Sequence, residues 1–272
     1  MATAVAPIVA QIEEALVGHW SHFGRWPKGA LVEEAGTLRY ETPIPQLPYN
    51  GVVRTHIDGD AAKVVDEVLE SFHRRHVSCL WWDHPSASPP NLGELLAARG
   101  MSVVERVTGM SIELDEAELR EPETPGIEYV EVLDDDSLRS YSELIMSYWD
   151  VPPESQSLVE ELNRYWGPGT APLHRWVAYD GREAVAKVLL SLAAPPGVAA
   201  IYGMSVRPAA RGRGVASALT HIVLRRAREL GCSRVVLHSS EMAVGVYERS
   251  GFRAACELPV YANATLWASR GH

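Results

Sequence analysis

The chain has 272 residues, enough for two modest domains or one large one with a substantial core. Its 46% hydrophobic and 22% charged residues are ordinary for a globular protein, and no apolar run approaches membrane-spanning length. A net charge of −10 argues against coating nucleic acid. Cys79, Cys232 and Cys256 lie far apart, with no CxxC pair and no metal-ligand spacing, so buried reduced thiols and no metal are expected. The N-terminal stretch lacks a basic leader and is interrupted by Gln11, Glu13 and Glu14, so a cytoplasmic location without membrane attachment is expected.

Taken in order, Ile8 to His19 has the spacing of an amphipathic helix. Leu31–Arg39 and Gly51–Ile57 read as strands separated by the proline-rich Pro43–Pro48. Ala61–Arg75 is a strong helix, with Val64, Val65, Val68, Leu69 and Phe72 in one stripe. Val77–Trp82 is a strand, and Asn91 is a candidate cap for a helix over Leu92–Arg99 that Gly100 ends. Met101–Val107 reads as a further strand, Ser111–Leu119 closes this half, and the acidic run Asp115–Gly126 reads as a linker. The boundary is therefore set there, with domains 1–120 and 121–272.

The second half predicts strand Ile127–Val132, helices Asp136–Trp149 and Ser157–Tyr165, and strand Trp176–Tyr179. A turn at Asp180-Gly181 leads into strand Ala184–Leu192, followed by strand Ala199–Val206. Helix Gly214–Leu230 then runs to a glycine stop at Gly231, followed by strand Arg234–His238, helix Ala243–Ser250 and strand Phe252–Tyr261. The fold class this order predicts is α/β, a mostly antiparallel mixed sheet with helices on both faces.

The junction between Ala199–Val206 and the long helix carries the strongest chemical signal. Arg211-Gly212-Arg213-Gly214-Val215-Ala216 joins an apolar strand to a helix N-terminus. Backbone N–H groups and the positive end of the dipole converge there, and glycines let an anion approach the backbone. Arg207 to Arg253 contains nine arginines and three glutamates, hence +6, against −16 in the rest of the chain. That basic island suits an anionic cofactor, with Arg211 and Arg213 the functional candidates. Arg225, Arg226 and Arg228 read as solvating and dipole-complementing groups at the helix end.

With the loop so placed, the second half resembles the GCN5-related N-acetyltransferase (GNAT) superfamily over roughly Ile127 to Tyr261. Arg211, Gly214 and Ala216 meet the Q/R-x-x-G-x-G/A signature, and Tyr247-Glu248-Arg249-Ser250-Gly251-Phe252 resembles the family's Tyr–Glu–x–x–Gly–Phe helix ending. The resemblance implies that Arg211 through Ala216 and Ser217 hold the pyrophosphate of acetyl-CoA or another acyl-CoA. It also implies that backbone at Met204, Ser205 and Val206 pairs with the pantetheine arm, and that Tyr247 is the general acid toward the departing thiolate. The family commonly has Asn three residues before Ala; here the pair is Ser240 and Ala243, so a hydroxyl stands in for the amide. Strand Ala199–Val206 carries no acidic residue where many relatives place a general base. His238, Glu241, His174 and Glu143 are alternatives that stay outside the catalytic set.

The first half mirrors the second as a degenerate GNAT-like repeat. Strand Val52–Ile57, helix Ala61–Arg75, strand Val77–Leu80, a helix, Gly100-Met101 and a strand match Ala199–Val206, Gly214–Leu230, Val235–His238, a helix, Gly251-Phe252 and a strand. Asp58 and Asp60 stand in the loop where the second half has Arg207 to Gly214, and Leu96 stands at the position of Tyr247. Two carboxylates there would repel a pyrophosphate, so one cofactor site per chain is expected. The expected acceptor is a primary amine of a small molecule or peptide. Trp81, Trp82, Tyr148, Trp149, Tyr165 and Trp166 are candidates to line its pocket, and a homodimer is a candidate assembly. The competing reading is a non-catalytic acyl-CoA-binding sensor on the same scaffold.

Overall fold

The structure, a computed structural model, describes residues 6–115, 119, 123–167 and 172–263. Much of the expected linker, residues 116–118 and 120–122, lies outside the described residues. The chain forms two compact units, one of Met1–Val107 with Cys256–His272 and the other of Thr108–Ala255.

The first unit begins with α1 (Pro7–Gly24), which Pro7 starts without needing an N–H partner and which runs five residues past His19. The segment expected as one strand over Leu31–Arg39 is a hairpin, β1 (Ala30–Glu34) and β2 (Thr37–Glu41). Ala35 and Gly36 turn it with φ of 49° and 80°, a two-residue turn that an alanine disguises. There follow β3 (Gly51–Thr55), α2 (Ala61–Arg74), β4 (Leu80–Trp82) and α3 (Leu92–Ala97). Asn91 makes no side-chain cap bond to α3, contrary to expectation. The unit also holds the start of β5 (Ser102–Glu113) and the end of β11 (Arg253–Ala262). Its strand order is β1-β2-β3-β4-β11, with β3 and β4 parallel and the other pairs antiparallel. Val65, Val68 and Phe72 of α2 pack with Trp81, Leu92, Leu96 and Met101 in its core.

The second unit contains the rest of β5, then β6 (Ile127–Glu131), α4 (Asp135–Trp149), α5 (Pro153–Tyr165), β7 (Leu173–Asp180), β8 (Glu183–Ser191) and β9 (Val198–Val206). It closes with α6 (Val215–Glu229), β10 (Arg234–Ser239), α7 (Val244–Arg249) and the first residues of β11. Strand order is β5-β10-β9-β8-β7-β6, with β9 and β10 parallel and the other pairs antiparallel. This is the expected mixed sheet with helices on both faces. Leu219, Val223 and Leu224 of α6 pack on one face with Ala186, Val188, Leu190 and Ile201. Leu138, Tyr141 and Leu144 of α4 pack on the other with Val132 and Val177. Asp134 begins α4 with a capping box, accepting from the Ser137 N–H at 2.8 Å.

The compact units divide at Val107/Thr108 and Ala255/Cys256, while the expected domain boundary is 120/121. The reason is in the strands. Met101–Val107 does not end where expected: the strand β5 runs on from Ser102 to Glu113, through the first division. Its Thr108–Glu113 pairs with β10 in the second unit, while Val260–Ala262 of β11 pairs with β4 in the first. No composition shift marks a boundary inside a strand. Of the three thiols, Cys79 is buried as expected, whereas Cys232 and Cys256 are only half-buried.

Leu219 is fully buried between α6 and the sheet. Leu219→Ala is expected to destabilise the protein by about 2–5 kcal/mol, read as a lower urea midpoint with an unchanged m-value.

Candidate active site

Strand β9 is paired on both edges only at its start. Val198 through Ile201 lie parallel to Arg234 through Leu237, and the pairing goes no further. On its other edge β9 stays with β8, Lys187 opposite Ser205 and Ala186 opposite Val206. From Tyr202 onward the edge of β9 toward β10 is therefore open, and Met204, Ser205 and Val206 lie on it. Gly203 sits at the point of parting with φ of 60°, where β9 carries an extra residue against Lys187/Leu189. That β-bulge re-aims the strand end.

After Val206 a 3-10 turn, Pro208–Ala210, leads into the glycine loop. Gly212 and Gly214 take φ of 75° and 81°, a region costly for other residues. A Cβ at Gly212 would meet nothing within 4 Å, so this backbone faces open space. Gly214 caps α6 with no side-chain hydrogen bond, leaving the helix start, Val215, Ala216 and Ser217, without a side-chain acceptor at the cap. In the first unit the matching helix start is filled. Asp60 caps α2, its carboxylate accepting from the Lys63 N–H at 3.1 Å. An anion already sits where the dipole is positive.

The two loop arginines are engaged elsewhere. Arg213 is ion-paired with Asp180 across the β7–β8 turn, and the Arg211 Nε donates to the Val206 carbonyl at 3.2 Å. Both side chains are exposed, so their partners compete with solvent. Arg207 pairs with Glu183 at 2.8 Å. At the helix end Arg226 meets Glu229 at 3.3 Å and Arg228 donates to the Leu114 carbonyl, in keeping with a structural reading of that pair.

Tyr247 lies on α7, buried among the residues that pack α6 on the sheet, its ring edge-on to Phe252 at 5.7 Å. The helix ending explains the Tyr–x–x–x–Gly–Phe spacing. Phe252 N–H donates to the Tyr247 carbonyl and Gly251 N–H to that of Glu248, with Gly251 at φ of 95°. This is a Schellman cap. Met101 and Gly100 repeat it on Leu96 and Ala97. Burial raises the Tyr247 phenol well above its usual value, so it stays protonated at neutral pH. Ser240 precedes the 3-10 turn Glu241–Ala243 and makes no side-chain cap bond there. His238 stacks on Tyr202 at 5.8 Å across the β9–β10 parting. His174 lies elsewhere on the sheet, its Nδ1 3.2 Å from Glu131.

Sequence reasoning missed Lys187. It lies mid-strand in β8, 2% exposed, and its Nζ donates to the Gly203 carbonyl at 2.6 Å. It also stands over the rings of Tyr141 and Tyr148 at 5.5 and 5.9 Å. Arg175 of β7, equally buried, shares the Tyr141 ring at 5.5 Å and donates to the Gly167 carbonyl at 3.0 Å. Among the described residues neither cation has a carboxylate partner. Burial alone draws the Lys187 amine down to about 7. The signal was present as a single lysine inside Ala184–Leu192, a cation at a core position of an apolar run.

Fold and site together define an α/β protein with a glycine loop at a helix start, set beside a parted pair of parallel strands. Residues 138–252 match the model of the acetyltransferase (GNAT) family. A GCN5-related N-acetyltransferase from Kribbella flavida shares the fold, with a TM-score of 0.67 at 14% identity over 92% of this chain and 95% of that one. A second, from Sphaerobacter thermophilus, gives 0.60 at 18% identity over 96% and 94%. A tandem GNAT protein from the clavulanic acid biosynthesis pathway gives 0.61 at 15% identity over 94% of each chain. No curated protein matches the sequence. Among the described residues no helix is long and apolar enough to cross a membrane.

The buried lysine makes stability depend on pH. Its ordinary value is 10.5 and its folded value about 7, so between these the unfolded chain holds the proton and the folded chain does not. Stability from this group therefore rises with pH through that window. Lys187→Met is expected to remove that rise, so that its stability relative to wild type falls steadily from about pH 7 to about pH 10 in urea titrations. A constant difference across this range contradicts the assignment.

Proposed function

We propose that the chain transfers an acetyl or other short acyl group from acyl-CoA to a primary amine of a small molecule or peptide. The observation that carries this reading is the start of α6: a helix capped by glycine with no side chain on its amides, at the end of a strand that has left its neighbour. The amides are unclaimed by a cap, and the backbone at Gly212 faces open space, while a Cβ at Gly214 would touch the Thr124 methyl at 3.4 Å; this supports an anion there. In this reading Arg211 through Ser217 hold the pyrophosphate. The open edge at Met204, Ser205 and Val206 pairs with the pantetheine, and Ser240 contributes a hydroxyl near the same arm. Acyl-CoA, when bound, supplies an activated thioester.

The chain's own part is positioning and proton donation. Backbone N–H groups beside the Gly203 bulge orient the acyl carbonyl. Tyr247 keeps its proton at neutral pH and gives it to the leaving sulfur. The first unit, with Asp60 on its own helix start, takes no second coenzyme and acts as a degenerate GNAT-like repeat. Division into domains 1–120 and 121–272 follows the repeat rather than the compact units. Three free thiols suit a reducing, cytoplasmic setting, and a homodimer remains part of the reading.

Free-thiol release from acetyl-CoA, measured across pools of amines, tests the proposal. Tyr247→Phe is expected to lower kcat by about 100-fold or more with coenzyme affinity unchanged by calorimetry. Gly214→Asp, which gives α6 the acidic cap of α2, is expected to abolish coenzyme binding. Coenzyme binding with no turnover on any amine supports the sensor instead.

A further inference from the structure

Nothing on β9 itself can take the proton that an amine acceptor must lose, since its polar side chains are Tyr202 and Ser205. The adjacent strand supplies a group. A Cβ built on Gly203 would stand 3.3 Å from the Lys187 Nζ and 3.9 Å from the Tyr141 hydroxyl, so both lie directly under the bulge. Gly203 itself is exposed, and the Lys187 Nζ lies 3.3 Å from where its side chain would stand. Leu189 and Lys187 point to the same face of β8, and Tyr202 lies opposite Leu189. Lys187 therefore faces away from the Tyr247 side of the sheet, where α6 packs.

We propose that Lys187 is the proton acceptor for the incoming amine, with Gly203 as the window through which the acceptor nitrogen reaches Nζ. The inference rests on the acyl-transfer reading. The acceptor ammonium gives one proton to the lone pair of neutral Lys187. Its nitrogen then forms the C–N bond as the C–S bond breaks. Tyr247 gives its phenolic proton to sulfur and regains one from the nitrogen, leaving an amide with a single hydrogen. Lys187 releases its proton to solvent. Acid and base thus stand on opposite faces of one parted strand pair.

The surroundings keep Lys187 suited to the task. From α4 it faces Tyr141 and Tyr148; from β7, Arg175; from β9, the Gly203 carbonyl, with Tyr202 and, on β10, His238 on the same face. Among the described residues no carboxylate pairs with it to hold it charged. Burial favours the neutral amine. The Gly203 carbonyl accepts one N–H and so fixes the direction of the stem.

The test joins a titration to kinetics. In the coenzyme-free protein, the Lys187 amine followed by NMR of labelled lysine, assigned with Lys187→Arg, is expected to titrate near neutrality rather than in the ordinary lysine range. In wild type, kcat/KM should rise with pH over the same interval. Lys187→Met and Lys187→Arg should each lose about 100-fold or more in kcat and lose that acidic limb, while binding coenzyme as wild type does. An ordinary lysine titration, or variants that keep the limb and most of kcat, overturns the assignment while leaving acyl transfer standing. Absence of turnover by wild type on any amine, with coenzyme bound, overturns both readings.

Discussion

The second unit depends on one interrupted pairing. Parallel strands normally continue side by side until a turn separates them, since each unpaired backbone group costs free energy once buried. Strands β9 and β10 part after Ile201 and Leu237, midway along β9. The bulge at Gly203 on one edge and the stack of Tyr202 on His238 on the other mark the place. Everything of chemical interest is arranged around this opening. The loop that starts α6 lies at the far end of β9, the α7 aromatic pair packs on one face, and Lys187 lies beneath the bulge on the other.

Two helix starts in the same chain are finished in different ways. Helix α2 follows Asp58-Gly59-Asp60 and takes its cap from the last of these. Helix α6 follows Gly212-Arg213-Gly214 and takes no side-chain cap. Both satisfy the backbone geometry with a left-handed glycine nearby, Gly59 at φ of 106° and Gly214 at 81°. The difference is in the cap: the chain supplies a carboxylate in the first unit and no side chain in the second. A cap of this kind stabilises a helix by about 1 kcal/mol, and the second unit forgoes that contribution.

The main elements were legible because their signals are local. The 3.6-residue stripe of α2, the glycine stop after α6 and the Tyr–x–x–x–Gly–Phe ending each follow from a cap or a face that a short window contains. The unit boundary was illegible because strands β5 and β11 each run through it, and strand exchange leaves no mark in composition. The hairpin at Ala35-Gly36 was hidden by an alanine in a conformation it rarely adopts. The ion pair of Arg213 with Asp180, 33 residues away, forms only when β7 and β8 fold together, so no short window contains it. Lys187 was visible as a lysine among apolar neighbours, but its meaning required Gly203 and α4 around it.

The central claim is that the coenzyme lies along the open edge of β9 and ends at the start of α6. Amide hydrogen exchange with and without CoA tests it most directly. The account predicts slowed exchange confined to residues 204–206 and 212–217, with the Asp58–Lys63 segment of the first unit unchanged. Protection at the first unit's helix start, or CoA binding without protection of the α6 start, contradicts it.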